Sequence, residues 1–190
     1  MFKKYFKEDY QIKYLDEIST YGTRASATMS MSTQIIDFYG VGNYRQVRIK
    51  VSWNWSKAPF WAYTDSLGVS VSKTMYYNSS KTYHLVKYYT LGGSYNRTNA
   101  ISFSPAGPKS IVKSQGIDVV TRVDWAKSGT AYVQFSTSSG TFNDIGAYAV
   151  YGHYKAAVTP SLSISSGAPS ISFTPSVSVT NYKRYDYSAR

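Results

Sequence analysis

The chain has 190 residues, a formal net charge of +11 and no cysteine. Without cysteine it can form neither disulfides nor zinc–thiolate sites, and it has no thiol nucleophile. Its 20 tyrosines are typical of half-buried strands rather than helices. A chain of this length can bury roughly 70% of its unfolded surface, which suits one domain with its own core.

The positive charge lies outside the first twenty residues. Residues 1–20 contain four lysines and four acidic residues, so the remaining 17 basic residues and six aspartates account for the whole net charge. A compact basic domain attracts polyanions such as nucleic acid, anionic lipid headgroups or acidic wall polymers. The alternative interpretation is that the charge only keeps a tyrosine-rich surface soluble.

We interpret residues 1–24 as an N-terminal extension and residues 25–190 as the folded domain. Phe2, Phe6 and Tyr10 recur at helical spacing, so the extension is predicted to be a short helix or a disordered leader. Charged residues interrupt it too often for a signal peptide. No window approaches the roughly 18 apolar residues of a membrane helix.

The central stretch of the domain begins with a strongly alternating segment. From Val47 to Trp55 the odd positions are apolar and the even positions are polar or basic, which predicts a strand with one core face and one basic face. Pro59 ends the alternation because it has no N–H for a ladder. Apolar residues alternate again from Leu67 to Val71, which predicts a second core strand after a loop.

The rest of the domain is also predicted to be strand. The segment from Tyr83 to Leu91 has apolar residues on both faces, so burial on both sides is expected. In total the pattern predicts roughly nine or ten short antiparallel strands, at the spacing of an all-β, jelly-roll-like single β-sandwich.

A short repeat precedes the C-terminus. Pro160, Pro169 and Pro175 each begin a Pro-Ser-apolar-Ser-apolar unit. Each unit is predicted to be a strand fragment with one hydroxyl face, and proline confines it to a strand start or an edge. We interpret the repeat as an edge hairpin. The alternatives are that it inserts into a bilayer or is exchanged with a neighbouring molecule.

The sequence contains no motif of an enzyme, and no cofactor or metal site is predicted. The two histidines, His84 and His153, have no metal-ligand spacing, and there is no nucleophile elbow or phosphate-binding loop. In length, charge and composition the chain is similar to small jelly-roll xylanases, which need two glutamates on facing strands. The only glutamates here, Glu8 and Glu17, lie in the extension. The resemblance therefore supports the fold class and argues against that activity.

The candidate site combines aromatic and basic side chains. Pro59 should make the following loop bow out from the sheet and expose its aromatic residues. Exposed aromatic rings stack on sugars, and lysines hold anionic groups. The predicted ligand-binding residues are Lys57, Trp61, Tyr63, Lys73, Tyr76 and Tyr77.

These features predict a non-enzymatic, secreted or cell-surface binding protein with a basic, aromatic-rich face. Its predicted partner is an anionic polymer or glycan of a cell surface, and an anionic membrane is the second partner considered. Specific nucleic-acid binding is not expected, because no RNA-recognition motif occurs. Two other classes stay open. One is a membrane-active pore-forming protein, and the other is a structural subunit that assembles by strand complementation.

Overall fold

The computed structural model describes residues 27–59, 63–107, 110–114, 116–155, 161–165, 170–174 and 179–189. These ranges contain fourteen strands, all paired antiparallel, and one short 3-10 turn at Ser79–Lys81. The strands are β1 (Met29–Val41), β2 (Tyr44–Trp55), β3 (Thr64–Val71), β4 (Tyr76–Tyr77), β5 (Tyr83–Tyr89), β6 (Tyr95–Ile101), β7 (Phe103–Pro105), β8 (Ile111–Ser114), β9 (Ile117–Asp118), β10 (Trp125–Thr137), β11 (Asp144–Tyr154), β12 (Ser161–Ser165), β13 (Ser170–Thr174) and β14 (Val179–Ala189).

The all-β expectation is confirmed, but the expected strand count was too low. Three of these strands, β4, β7 and β9, have only two or three residues. An apolar–polar alternation needs about four residues to be recognised, so such fragments leave no periodic signal. The predicted extension, residues 1–24, lies outside the described residues.

Two antiparallel sheets pack face to face. The first sheet has the order β1-β2-β10-β5-β6, with β4 also paired to β10, and the second has the order β14-β11-β3-β8-β7, with β9 also paired to β3. Consecutive strands repeatedly change sheet, as in the passages from β2 to β3 and from β10 to β11. One apolar cluster draws residues from both sheets, so the chain is a β-sandwich with its core between them.

The alternation predicted for the central strand is present in β2. Val47, Ile49 and Val51 have no exposed surface, and Trp53 and Trp55 are almost fully buried. The intervening residues, including Arg48 and Lys50, point to the other side of the first sheet. Each aliphatic side chain buried in this way contributes roughly 1.5–3 kcal/mol of transfer free energy, so the register of β2 is strongly fixed.

The expectation that the segment after Tyr83 is buried on both faces was wrong. In β5 the side chains alternate strictly, with His84, Val86 and Tyr88 buried and with Tyr83 exposed. The outward residues Tyr83, Leu85 and Lys87 are all exposed, so this side of β5 faces solvent. Aromatic content alone therefore did not indicate burial.

The first two units of the repeat before the C-terminus form a separate hairpin, β12–β13, that packs on the outer side of the second sheet, and residues 175–178 of the third unit lie outside the described residues. In the hairpin, Leu162 lies over Gly68 of β3, where a Cβ would meet the leucine at 2.8 Å, and Phe173 lies over Gly152 of β11, where a Cβ would meet the ring at 2.4 Å. The side-chain amide of Asn181 also accepts a hydrogen bond from the Phe173 N–H and donates one to its C=O. The hairpin thus covers a sheet face rather than extending an edge.

The open edge of β1 is capped by side chains from β14. The Asp186 carboxylate accepts a hydrogen bond from the Ile35 N–H at 2.6 Å, and the Arg184 guanidinium donates one to the Met31 carbonyl at 2.9 Å. These contacts join the two sheets along one side and satisfy backbone groups that an edge strand would leave unpaired. No helix in the described part of the chain has the length and hydropathy to cross a membrane.

Candidate functional site

The outer side of the first sheet carries a surface that we call the cationic face. It is formed by the side chains of β2, β10 and β5 that point away from the core: Arg48, Lys50, Ser52, Thr130, Tyr132, Tyr83, Leu85 and Lys87. Strand pairing places Lys50 directly opposite Tyr132, and Tyr132 directly opposite Tyr83. A single row therefore crosses three neighbouring strands, which lie about 4.8 Å apart.

The two tyrosines of this row are in contact with each other, and Arg48, from the adjacent row, is in contact with one of them. The rings of Tyr83 and Tyr132 have centroids 5.1 Å apart with an angle of 36° between their planes. The Arg48 guanidinium lies 5.2 Å from the centroid of the Tyr132 ring. Tyr83 remains 39% exposed, so its ring can contact a ligand. Cation–aromatic contact fixes the guanidinium at the surface without neutralising its charge.

The cations of the cationic face have no carboxylate partner among the described residues. Arg48, Lys50, Lys87 and the nearby Lys127, which lies 4.6 Å over the Tyr89 ring, take part in none of the ion pairs between described residues. Among those residues, the one acidic side chain on this side of the sheet is Asp37, opposite Arg48 in β1. The surface is therefore strongly electropositive and attracts anions.

A chain of amides borders the cationic face. Gln134 donates a hydrogen bond to the side-chain oxygen of Gln46 at 3.2 Å, and the Tyr44 hydroxyl donates to the same oxygen. Gln46 in turn donates to the Asp37 carboxylate at 3.4 Å. This network engages Asp37 at one corner of the surface and leaves the Lys50 row uninvolved.

The structure places one of the six predicted site residues on this side of the first sheet. Tyr76 lies opposite Ser136 of β10 and is 51% exposed. Tyr77 points into the sandwich, where its ring centroid is 6.4 Å from that of Phe135 and its hydroxyl donates to the Phe103 carbonyl. Burial raises the pKa of the Tyr77 hydroxyl.

The other predicted residues lie elsewhere. Lys57 and Tyr63 precede β3, and Tyr63 packs against the cluster that holds the β12–β13 hairpin. Lys73 follows β3, at the opposite end of that strand, and forms an ion pair with Asp144 at 2.9 Å. Trp61 lies outside the described residues. The structure thus does not gather Lys57, Lys73 and the tyrosines into one surface.

Tyr83 and Tyr132 were not predicted to be surface residues. Each alternates with buried residues in its own strand, so the signal for exposure was present in β5 and β10 separately. Their proximity depends on the pairing of two strands that are far apart in sequence. A single sequence does not reveal that pairing.

The two histidines lie in separate buried clusters. The Trp53 indole N–H donates to His84 Nε2 at 3.0 Å, and burial lowers the pKa of His84 to about 3, so His84 is neutral at pH 7. His153 Nδ1 lies 2.9 Å from the Asp65 carboxylate, which also accepts the Tyr154 N–H. Burial raises the pKa of Asp65, although His153 acts in the opposite direction.

Neither histidine forms a metal-binding cluster with other described residues. Within the described ranges, no three side chains of the kinds that ligate metals lie close enough together to hold an ion. Both clusters also bring bulky aromatic rings together at the core, since Trp53 and Tyr151 have centroids 4.9 Å apart. Their observable role is in core packing and in hydrogen bonding between strands of one sheet, β5 with β2 for His84 and β11 with β3 for His153.

No protein-family model matches the chain. A search of curated proteins also finds no match.

Several solved structures align with the chain at very low sequence identity. The collagen-binding subdomain of the Enterococcus faecalis surface protein ACE is 10% identical, with a TM-score of 0.39, over 88% of this chain and 100% of that one. The collagen-binding domain of a Staphylococcus aureus adhesin is 7% identical, with a TM-score of 0.41, over 89% and 100%. The Streptococcus pneumoniae pilus backbone protein RrgB is 8% identical, with a TM-score of 0.37, over 86% and 79%. At this level of similarity we base neither the fold nor the function of this chain on them.

Proposed function

We propose that this chain is a non-enzymatic binding module that holds an anionic glycan of a cell envelope on its cationic face. The observation that carries the proposal is the row of Lys50, Tyr132 and Tyr83 across three adjacent strands, with Arg48 against Tyr132. Tyrosine rings offer a flat apolar surface for the faces of sugar rings. The neighbouring cations, which have no carboxylate partner among the described residues, supply charge for carboxylate, sulfate or phosphate groups.

The ligand class follows from the combination of these two chemistries. The cations alone would bind any polyanion, and the tyrosine rings alone would bind a neutral sugar. Lys87 lies four residues along β5 from Tyr83 on the same side of the strand, so the charges are spread along the sheet. This spacing suits a polymer with repeating anionic groups better than a single small anion. A secreted or cell-surface location belongs to the same proposal.

The proposal is tested by measuring the affinity of the protein for a panel of polymers over a range of salt concentrations. The panel contains a polyuronate, a sulfated glycan, a neutral glucan, single-stranded DNA and vesicles of anionic lipid. Because screening weakens contacts between exposed charges, binding to the acidic glycans should fall steeply with salt. Equal affinity for DNA and acidic glycans at every salt concentration would reject glycan recognition and leave only general polyanion attraction.

Variants connect that affinity to the cationic face. Tyr83→Ala should weaken binding by about 1–3 kcal/mol, the scale of a lost stacking contact, and Lys50→Ala should reduce the salt dependence. The matched controls are Tyr187→Ala and Lys183→Ala in β14, which remove an exposed ring and an exposed charge on the other sheet. Equal losses in the controls would show that the cationic face is not the site.

A further inference from the structure

Two tyrosines on the outer side of the second sheet are held ring to ring. Tyr148 of β11 is the direct cross-strand partner of Tyr185 of β14. Their ring centroids are 4.8 Å apart with 29° between the ring planes, so the two rings are stacked on each other. Tyr185 is 53% exposed, so the pair is accessible from solvent.

Because Gly146 has no side chain, the Tyr148 hydroxyl oxygen and the Cε2 carbon of Tyr185 can both lie close to its backbone. A Cβ on Gly146 would lie 2.9 Å from the Tyr148 hydroxyl oxygen and 3.0 Å from Cε2 of Tyr185. Both atoms therefore lie above the same point of the β11 backbone, in space that any other residue would occupy. Cε2 is the ring carbon next to the one that bears the hydroxyl, and it is the position at which tyrosyl radicals join.

We propose that Tyr148 and Tyr185 form a site of oxidative crosslinking, at which hydrogen peroxide and a peroxidase-class catalyst produce an intramolecular dityrosine. Each phenol gives up one electron and its hydroxyl proton, and the two radicals form one C–C bond between carbons ortho to the hydroxyls. The proton on each of those carbons then moves to its oxygen, which restores both phenols. The peroxide takes up the two electrons and two protons and leaves as two molecules of water.

The crosslink would fasten β14 to the rest of its sheet. Among the described strands β14 pairs with β11 alone, and its side chains also cap the edge of β1. The chain has no cysteine, so a disulfide cannot make this connection. A bond between residues 148 and 185 would also enclose the β12–β13 hairpin in a covalent loop, which restricts the unfolded chain.

Three other tyrosine pairs serve as internal comparisons. Tyr83 and Tyr132 have centroids 5.1 Å apart at 36°, and the pairs Tyr89–Tyr95 and Tyr39–Tyr44 meet at 81° and 61°. Edge-on rings place one ortho carbon against a ring face rather than against another ortho carbon. Tyr148 and Tyr185 are therefore expected to couple first.

The test treats dilute full-length protein with peroxidase and limiting hydrogen peroxide. Dityrosine fluorescence should appear while the protein stays monomeric on a denaturing gel. Mass spectrometry should find a linked peptide that joins Tyr148 to Tyr185 and has lost two hydrogen atoms, and the melting temperature should rise. Tyr185→Phe should remove this linked peptide, whereas Tyr187→Phe, which alters an equally exposed neighbour in β14, should retain it.

The Tyr185→Phe result is interpretable only if that variant folds. Tyr185→Phe must melt like the wild type before oxidation, and Tyr148→Phe replaces it if it does not fold. Crosslinks found only between molecules would overturn the proposal. Loss of the linked peptide in Tyr187→Phe, or faster coupling of Tyr83 to Tyr132, would overturn it as well.

Discussion

The Asp186 carboxylate of β14 accepts the backbone N–H of Ile35 in β1 at 2.6 Å, and it does so across the gap between the two sheets. Ile35 lies at a register shift in the pairing of β1 with β2, where the next paired residue is Asp37. A bulge turns a backbone N–H away from its ladder, and here a side chain from the other sheet receives it. One carboxylate therefore both closes an edge and connects the layers.

Replacement of Asp186 by Ala should weaken the fold and expose the edge of β1. The Ile35 N–H would lose a charged acceptor, which costs about 1–3 kcal/mol, and the open edge would favour association between molecules. Urea unfolding measures the first effect, and light scattering against concentration measures the second. Asp144→Ala, which removes only the exposed ion pair with Lys73, should show neither. Unchanged stability in Asp186→Ala would contradict the edge-capping role.

Acid should destabilise the protein through His84. The pKa of His84 is lowered from 6.5 to about 3 by burial, so the unfolded chain binds more protons between these values. Stability should therefore be full above pH 6.5 and fall as the pH drops toward 3, by up to about 1.4 kcal/mol per pH unit. In His84→Gln the side-chain oxygen can still accept the Trp53 indole N–H, but this part of the pH dependence disappears. Urea unfolding of both proteins from pH 4 to 7 measures the difference, and identical slopes would refute the assignment.

Trp53 should be among the most costly residues to truncate. It is 2% exposed, and its ring fills the space above Gly129, where a Cβ would lie 2.5 Å from the indole. Trp53→Ala should cost about 3–5 kcal/mol of unfolding free energy. Gly129→Ala should also destabilise strongly, because the ring has no room to retreat in a packed core. Thermal unfolding tests both variants, and a melting temperature near that of the wild type in either one would contradict this packing.

The β12–β13 hairpin should be displaced by one methyl group beneath it. Gly152→Ala would place a Cβ 2.4 Å from the Phe173 ring, whereas Gly92→Ala would meet nothing closer than 3.8 Å. Limited proteolysis should therefore cut near residues 161–174 much faster in Gly152→Ala than in the wild type, while Gly92→Ala is cut at the wild-type rate. Equal protection in both variants would mean that the hairpin is not held by this contact.

The loop predicted after Pro59 remains a rival to the cationic face. Trp61→Ala should weaken glycan binding by about 1–3 kcal/mol if this loop contacts the ligand, and should leave binding unchanged if the cationic face acts alone. Titration calorimetry with the polymer that binds best to the wild type decides between them, with Tyr83→Ala measured in parallel. A loss in Trp61→Ala without a loss in Tyr83→Ala would move the site to the loop.

The fold could be predicted to the extent that it depends on alternation within one strand. The core face of β2, from Val47 to Trp55, is visible in the sequence because each inward residue is apolar. Two-residue strands such as β4 and β9 exist because longer neighbours hold them in place, so they carry no periodic signal.

The candidate site could be predicted only in part, because it depends on strand pairing. The basic residues of β2 were predicted to line one face of a strand, and the structure places Arg48 and Lys50 on the cationic face. Tyr83 joins them only because β5 pairs with β10. The hydrogen bond between Asp65 and His153 likewise connects residues 88 positions apart. Contacts of this kind follow from topology, which composition and local spacing do not specify.

The contacts between β1 and β14 also have a mechanical consequence. Met31 is joined to Arg184 and Ile35 to Asp186, so the first and last described strands run side by side in the same direction. Tension applied between the start of β1 and the end of β14 would therefore act along the strands. Ladder hydrogen bonds lie perpendicular to the strands, so the β1–β2 and β11–β14 ladders would be loaded in shear, with all their bonds sharing the force. A domain built in this way resists extension more strongly than one whose terminal strands peel apart one bond at a time.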